Sequence, residues 1–76
     1  MPELPNVSGK ELVSALQRAG WTVRRIEGSH YIMWKDGSPP FPIPVHGNKD
    51  LRKGTLKNIL QQSGLTVEEL IRILGK

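Results

Sequence analysis

Along this chain the apolar positions switch from helical spacing to strict alternation and back again. In NVSGKELVSALQRAGW, residues 6–21, Leu12, Val13, Leu16 and Ala19 form a stripe at helical spacing. Ser8 and Glu11 have the capping-box spacing at its start, and Val7 and Leu12 stand where a hydrophobic staple closes over the cap. Gly20 is a natural left-handed stop, so a helix is expected over residues 9–19.

Two strands follow, WTVRRIE and HYIMWK, rich in β-branched and aromatic residues and separated by Gly28-Ser29. Glycine first in a two-residue loop suits a type II′ turn, whose twist matches the strands it joins. That register sets Glu27 opposite His30, Arg25 opposite Ile32 and Val23 opposite Trp34. The other face pairs Ile26 with Tyr31 and Arg24 with Met33. The first face carries more apolar bulk far from the turn and is expected to face the core, with His30 at its rim. A slip of one residue inverts that assignment. After a turn at Asp36–Pro40, FPIPVH alternates Phe41, Ile43 and Val45 against Pro42, Pro44 and His46. Prolines two apart remove N–H donors from one side only, which marks an edge strand. The loop GNKDLRKGT leads to a helix, GTLKNILQQSG, with Leu56, Ile59 and Leu60 inside. Thr66 and Glu69 then cap a short last helix whose Val67, Leu70, Ile71 and Leu74 face inward. The expected class is α+β, in the order α-β-β-β-α-α, as one domain over residues 1–76.

Composition narrows the chemistry. A chain of 76 residues buries only about 60 % of its unfolded surface, which leaves little room for a deep pocket. Without cysteine there is no disulfide, thiolate metal site or thiol nucleophile. Nothing resembles a signal peptide or membrane span, so a soluble, cytoplasmic protein is the expectation. The formal net charge of +4 arises in the middle of the chain. There Arg24, Arg25, Lys35, Lys49, Arg52, Lys53 and Lys57 outnumber Glu27, Asp36 and Asp50, and both histidines, His30 and His46, lie among them. A concentrated positive field favours a polyanion such as nucleic acid; a solvated surface tuned for solubility is the plainer alternative.

No acidic cluster suits magnesium, two histidines do not complete a zinc site, and no phosphate-binding glycine motif is present, so no cofactor or metal is expected. The catalysis left open is metal-free acid–base chemistry. RNA carries its own nucleophile, the 2′-OH, and needs a base for that proton, an acid for the leaving 5′-oxygen and positive charge near phosphorus. Imidazole suits both proton transfers near neutral pH. Across the hairpin Glu27 would orient His30, and His46 could supply a second proton-transfer group. The seven cations are candidate phosphate contacts, as are the free N–H groups around Gly54 and Thr55. Each has a structural counterpart: by spacing alone His30 reads as an idle surface residue and His46 as a strand end. Trp21, Tyr31, Trp34 and Phe41 could stack bases, although most must serve as core in so small a chain.

SGKELVSALQRAGW, GSHYIM and PVHGNKDLRKGTLKNILQQSGL, in this order from Ser8 to Leu65, resemble the HicA toxin family of small messenger-RNA interferases, also called YcfA-like proteins. The resemblance implies a double-stranded-RNA-binding-domain-like fold, with helices on one face of a three-stranded antiparallel sheet. It implies ribosome-independent cleavage of single-stranded messenger RNA with the histidine of Gly28-Ser29-His30 as the catalytic residue. A HicB antitoxin that blocks that histidine is the implied partner. Gly28 and Ser29 would shape the turn that presents His30, and the basic loop before the second helix would contact phosphate. The orienting role of Glu27 and the segment SPPFPIP lie outside the resemblance. Two other readings fit the residues: a non-catalytic RNA-binding module on the same fold, and a protein-interaction domain that has lost the chemistry.

Overall fold

The computed structural model describes residues 3–75. Its elements are α1 (Gly9–Arg18), β1 (Thr22–Glu27), β2 (His30–Lys35), β3 (Ser38–Pro44), α2 (Lys53–Ser63) and α3 (Val67–Leu74). The strands form one antiparallel sheet in the order β1-β2-β3. The helices cover one face, and the α+β order and double-stranded-RNA-binding-domain-like layering are those expected from the sequence.

Local signals govern the helices. At α1 the Glu11 amide donates to Ser8 Oγ at 3.1 Å while Glu11 Oε1 accepts from the Ser8 amide at 3.0 Å. Thr66 and Glu69 reproduce this exchange at α3, also at 3.1 and 3.0 Å. Each box satisfies two donors that a helix start would otherwise leave unpaired. Gly64 ends α2 at φ +76°, a left-handed stop that glycine adopts without steric cost. Val7, Leu12, Leu16, Leu56, Ile59, Leu60 and Leu70 are all buried in one core. In α3, however, Ile73 packs against that core where Ile71 was expected, alongside Val67, Leu70 and Leu74.

The hairpin keeps the expected register next to its turn and departs from it farther out. Glu27 pairs with His30, Ile26 with Tyr31 and Arg25 with Ile32, but Val23 then faces Met33 and Thr22 faces Trp34. A β-bulge between Val23 and Arg25 inserts Arg24 as an extra residue.

The expected core face is also inverted. Met33, Phe41 and Ile43 are buried in the core and Val23 and Tyr31 pack against it, whereas His30, Ile32 and Trp34 occupy the face without helices. The ladder explains this. Tyr31 lies opposite Ile43 and Met33 opposite Phe41, so the apolar positions of β3 choose which face of β2 is buried. Trp21 joins them by an edge-to-face contact with Phe41, 4.9 Å between ring centroids.

The edge character of β3 follows from its prolines. Val45 donates its amide to the Ser29 carbonyl at 2.7 Å, which fixes odd-numbered amides toward β2. Pro40, Pro42 and Pro44 therefore stand where outward donors would be. The carbonyl of Pro44 in turn meets the start of α1, where a Cβ on Gly9 would lie 2.1 Å from that oxygen. Only glycine lets helix and strand approach so closely.

Candidate active site

His30 opens β2 directly after the turn. Gly28 has φ +60° and, among the described residues, no non-glycine residue has positive φ, so the first turn position is left-handed and Ser29 is not, the sign pattern of a type II′ turn. The turn projects His30 onto the helix-free face, where the side chain is exposed and no described residue hydrogen-bonds to its ring. A nucleotide can reach it from solvent.

Its cross-strand neighbours are Glu27 on β1 and Pro44 on β3. The Glu27 carboxylate pairs with the Arg25 guanidinium two residues back on the same face. Glu27 is thus opposite His30 in register, yet its charge is engaged by Arg25. Pro44, lacking an N–H, makes a non-hydrogen-bonded pair with His30, the close kind with Cα atoms about 4.5 Å apart.

Pro44 also lines a hollow of about 350 Å³ with His46, Lys49, Leu51, Arg52 and Thr55. The chain builds it by folding back: the Lys49 amide donates to the His46 carbonyl at 3.0 Å around Gly47, φ +58°. The Leu51 amide then donates to the Val7 carbonyl at 2.8 Å, tying the loop to the start of α1. One wall is imidazole and two cations, and the other is the beginning of α2. Pro44 links this hollow to His30, lining the one and pairing with the other across the ladder.

The seven candidate cations separate into groups. Arg24 and Arg25 lie on the open face, Arg24 with its guanidinium carbon 6.0 Å from the Trp34 ring centroid. Lys49 and Arg52 line the hollow. Lys35 lies over Trp21, 5.7 Å from its centroid, at the core side of the sheet. Lys53 donates to the carbonyls of Leu4 and Pro5 and to Asn6 Oδ1, at 2.8, 3.2 and 2.7 Å, and fastens the N-terminal segment. Lys57 borders a larger hollow of about 470 Å³ between α2 and α3, lined by Leu4, Leu60, Leu65 and Val67 and holding neither histidine. Arg24 and Arg25 thus share the open face with His30, Lys49 and Arg52 share the hollow with His46, and Lys35, Lys53 and Lys57 lie elsewhere.

What sequence reasoning missed is the outward turn of two consecutive arginines. The signal was present: Val23 and Ile26 are three apart, while their partners Met33 and Tyr31 are two apart. An apolar spacing of three inside an alternating strand marks one surplus residue.

The profile of the HicA toxin of bacterial toxin–antitoxin systems matches residues 9–65. The chain belongs to the HicA toxin family. The matched span begins at Gly9, whose missing side chain admits Pro44, and includes His30, the bulge and every residue lining the hollow. HicA toxins are ribonucleases that act on messenger RNA and are paired with an antitoxin, and at that level this chain shares their activity class. No curated protein matches the chain significantly. Among the described residues no helix is long and apolar enough to cross a membrane.

Proposed function

We propose that this HicA-family protein cuts single-stranded RNA by acid–base catalysis at His30, with a HicB-type antitoxin holding it inactive by covering that ring. The observation that carries the reading is the imidazole itself, exposed on the open sheet face beside a cation-lined hollow. A ring nitrogen of His30 takes the 2′-OH proton as the 2′-oxygen attacks phosphorus. The P–O5′ bond breaks, the 5′-oxygen gains a proton, and a 2′,3′-cyclic phosphate remains. His46, in the hollow that Pro44 also lines, supplies that second proton. Arg25, Lys49 and Arg52 offset the charge that builds on the phosphoryl oxygens, the kind of stabilisation that prearranged cations provide best. Gly28 and Ser29 set the turn, while Glu27 keeps Arg25 on the His30 face.

The test uses purified protein and a defined single-stranded oligoribonucleotide. His30→Ala should lower cleavage by roughly 10²–10⁴-fold while leaving the melting transition in place. A 2′-deoxy substitution at the cut nucleotide should block cleavage in the wild type. Undiminished cleavage in either case overturns the mechanism. Wild-type protein that binds RNA with steep salt dependence and never cuts it is a binding module instead.

A further inference from the structure

Of the four aromatic side chains, three are occupied with the core. Trp21 is 4 % exposed and Phe41 2 %, and Tyr31 packs against their cluster. Trp34 is 38 % exposed and stands on the other face, where it forgoes the burial that Trp21 gains. It shares that face and strand with His30, four residues or about 13 Å along β2. The bulge keeps Arg24 and Arg25 together on this side, and Arg24 lies against the indole at 6.0 Å.

We propose that Trp34, flanked by Arg24, is a stacking platform for a nucleobase that flanks the bond cut at His30. The inference rests on the reading of the open face as the RNA-binding face and adds the element that holds a base. Charge complementarity selects the occupant: the cation against the indole is Arg24, which suits a phosphate backbone, and its guanidinium plane can itself stack on a base. Stacking accepts any base, because every base has a π-face, so Trp34 contributes affinity and position along the strand.

Intrinsic fluorescence tests this directly, since Trp21 is buried and Trp34 is open to a ligand. In the His30→Ala protein, which leaves RNA intact, a short single-stranded oligoribonucleotide should quench the Trp34 emission on binding. Trp34→Leu should weaken binding by roughly five- to a hundred-fold, and Trp34→Phe should restore most of the loss. On an oligonucleotide with abasic sites the Leu variant and its parent should bind alike. With His30 present, Trp34→Leu should raise KM and spare kcat, the mark of binding removed equally from ground and transition states. Unchanged affinity in Trp34→Leu, binding without quenching, or an equal loss on the abasic strand overturns the proposal. So does a Leu variant that keeps RNA and loses only a protein inhibitor, which would assign the face to that protein. Cleavage by wild type with normal binding by Trp34→Leu defeats this inference alone. Quenching without cleavage defeats the catalytic reading alone.

Discussion

The two faces of the sheet are made from the same strands and obey opposite requirements. On the helix side, Val23, Tyr31, Met33, Phe41 and Ile43 meet Leu12, Leu16, Leu56 and Ile59 from the helices, and shape decides what fits. On the open side, His30, Trp34, Arg24 and Arg25 lie among Glu27, Ile32 and Pro44 with no helix over them. Ile32 is buried there between its ladder partners Arg25 and Pro42, apart from the main apolar cluster. Packing ties each core residue to many neighbours, whereas the open face is held by turn, bulge and proline, devices that position a side chain without burying it. The difference teaches where function can be placed in so small a chain: on the face that contributes least to stability.

The sharpest way to break this comparison is from the core. Phe41→Ala should cost about 3–5 kcal/mol, comparable to the whole stability of a domain this small. Thermal melting should show it largely unfolded, and a mild loss would mean that the Trp21–Phe41 contact is not central. Gly9→Ala tests the joint between the faces. Its Cβ meets the Pro44 carbonyl oxygen, so α1 or β3 must shift, at about 1–3 kcal/mol in denaturant titration. Because Pro44 is the partner of His30, cleavage should fall further than stability alone explains. Normal cleavage would uncouple the two.

The open face and the hollow beside Pro44 should behave in the opposite way. Arg25→Gln or Arg52→Gln should change stability by less than about 0.5 kcal/mol, yet flatten the slope of log affinity against log salt by about 0.7 for each phosphate no longer neutralised. Lys57→Gln, beside the other hollow, should alter that slope less. Equal slopes for all three would remove the distinction among the cations. The smallest effect belongs to the α3 cap. The Thr66 backbone N–H and hydroxyl hold the Glu69 carboxyl below the usual carboxylate range, with Arg72 assisting. A depressed folded-state pKa gives stability that is complete above the unfolded value and is lost as pH falls through the folded one. Acid titration should therefore begin to loosen α3 as pH falls through the ordinary carboxylate range and complete that loss below it, with the Glu69 resonance followed by NMR. Glu69→Gln should remove that acid sensitivity.

Signals confined to a few neighbouring residues were legible in the sequence. Both capping boxes, the Gly64 stop, the Gly28-Ser29 turn and the proline edge each depend on interactions within about four positions, and all appear in the structure. The position of His30 at the turn was legible for the same reason. Which side of the sheet it faces was not, because alternation in β2 is symmetric: Tyr31 and Met33 are no less apolar than Ile32 and Trp34.

Only tertiary structure could break that tie. The ladder to Phe41 and Ile43 and the pressure of the helices selected the buried face, and the bulge at Arg24 absorbed the resulting mismatch in β1. The sorting of cations was likewise a tertiary outcome, since Lys49 and Arg52 reach the hollow while Lys53 is held by the N-terminal carbonyls. Local chemistry specifies elements one at a time; the partner across a sheet, tens of residues away in sequence, decides which surface each element presents.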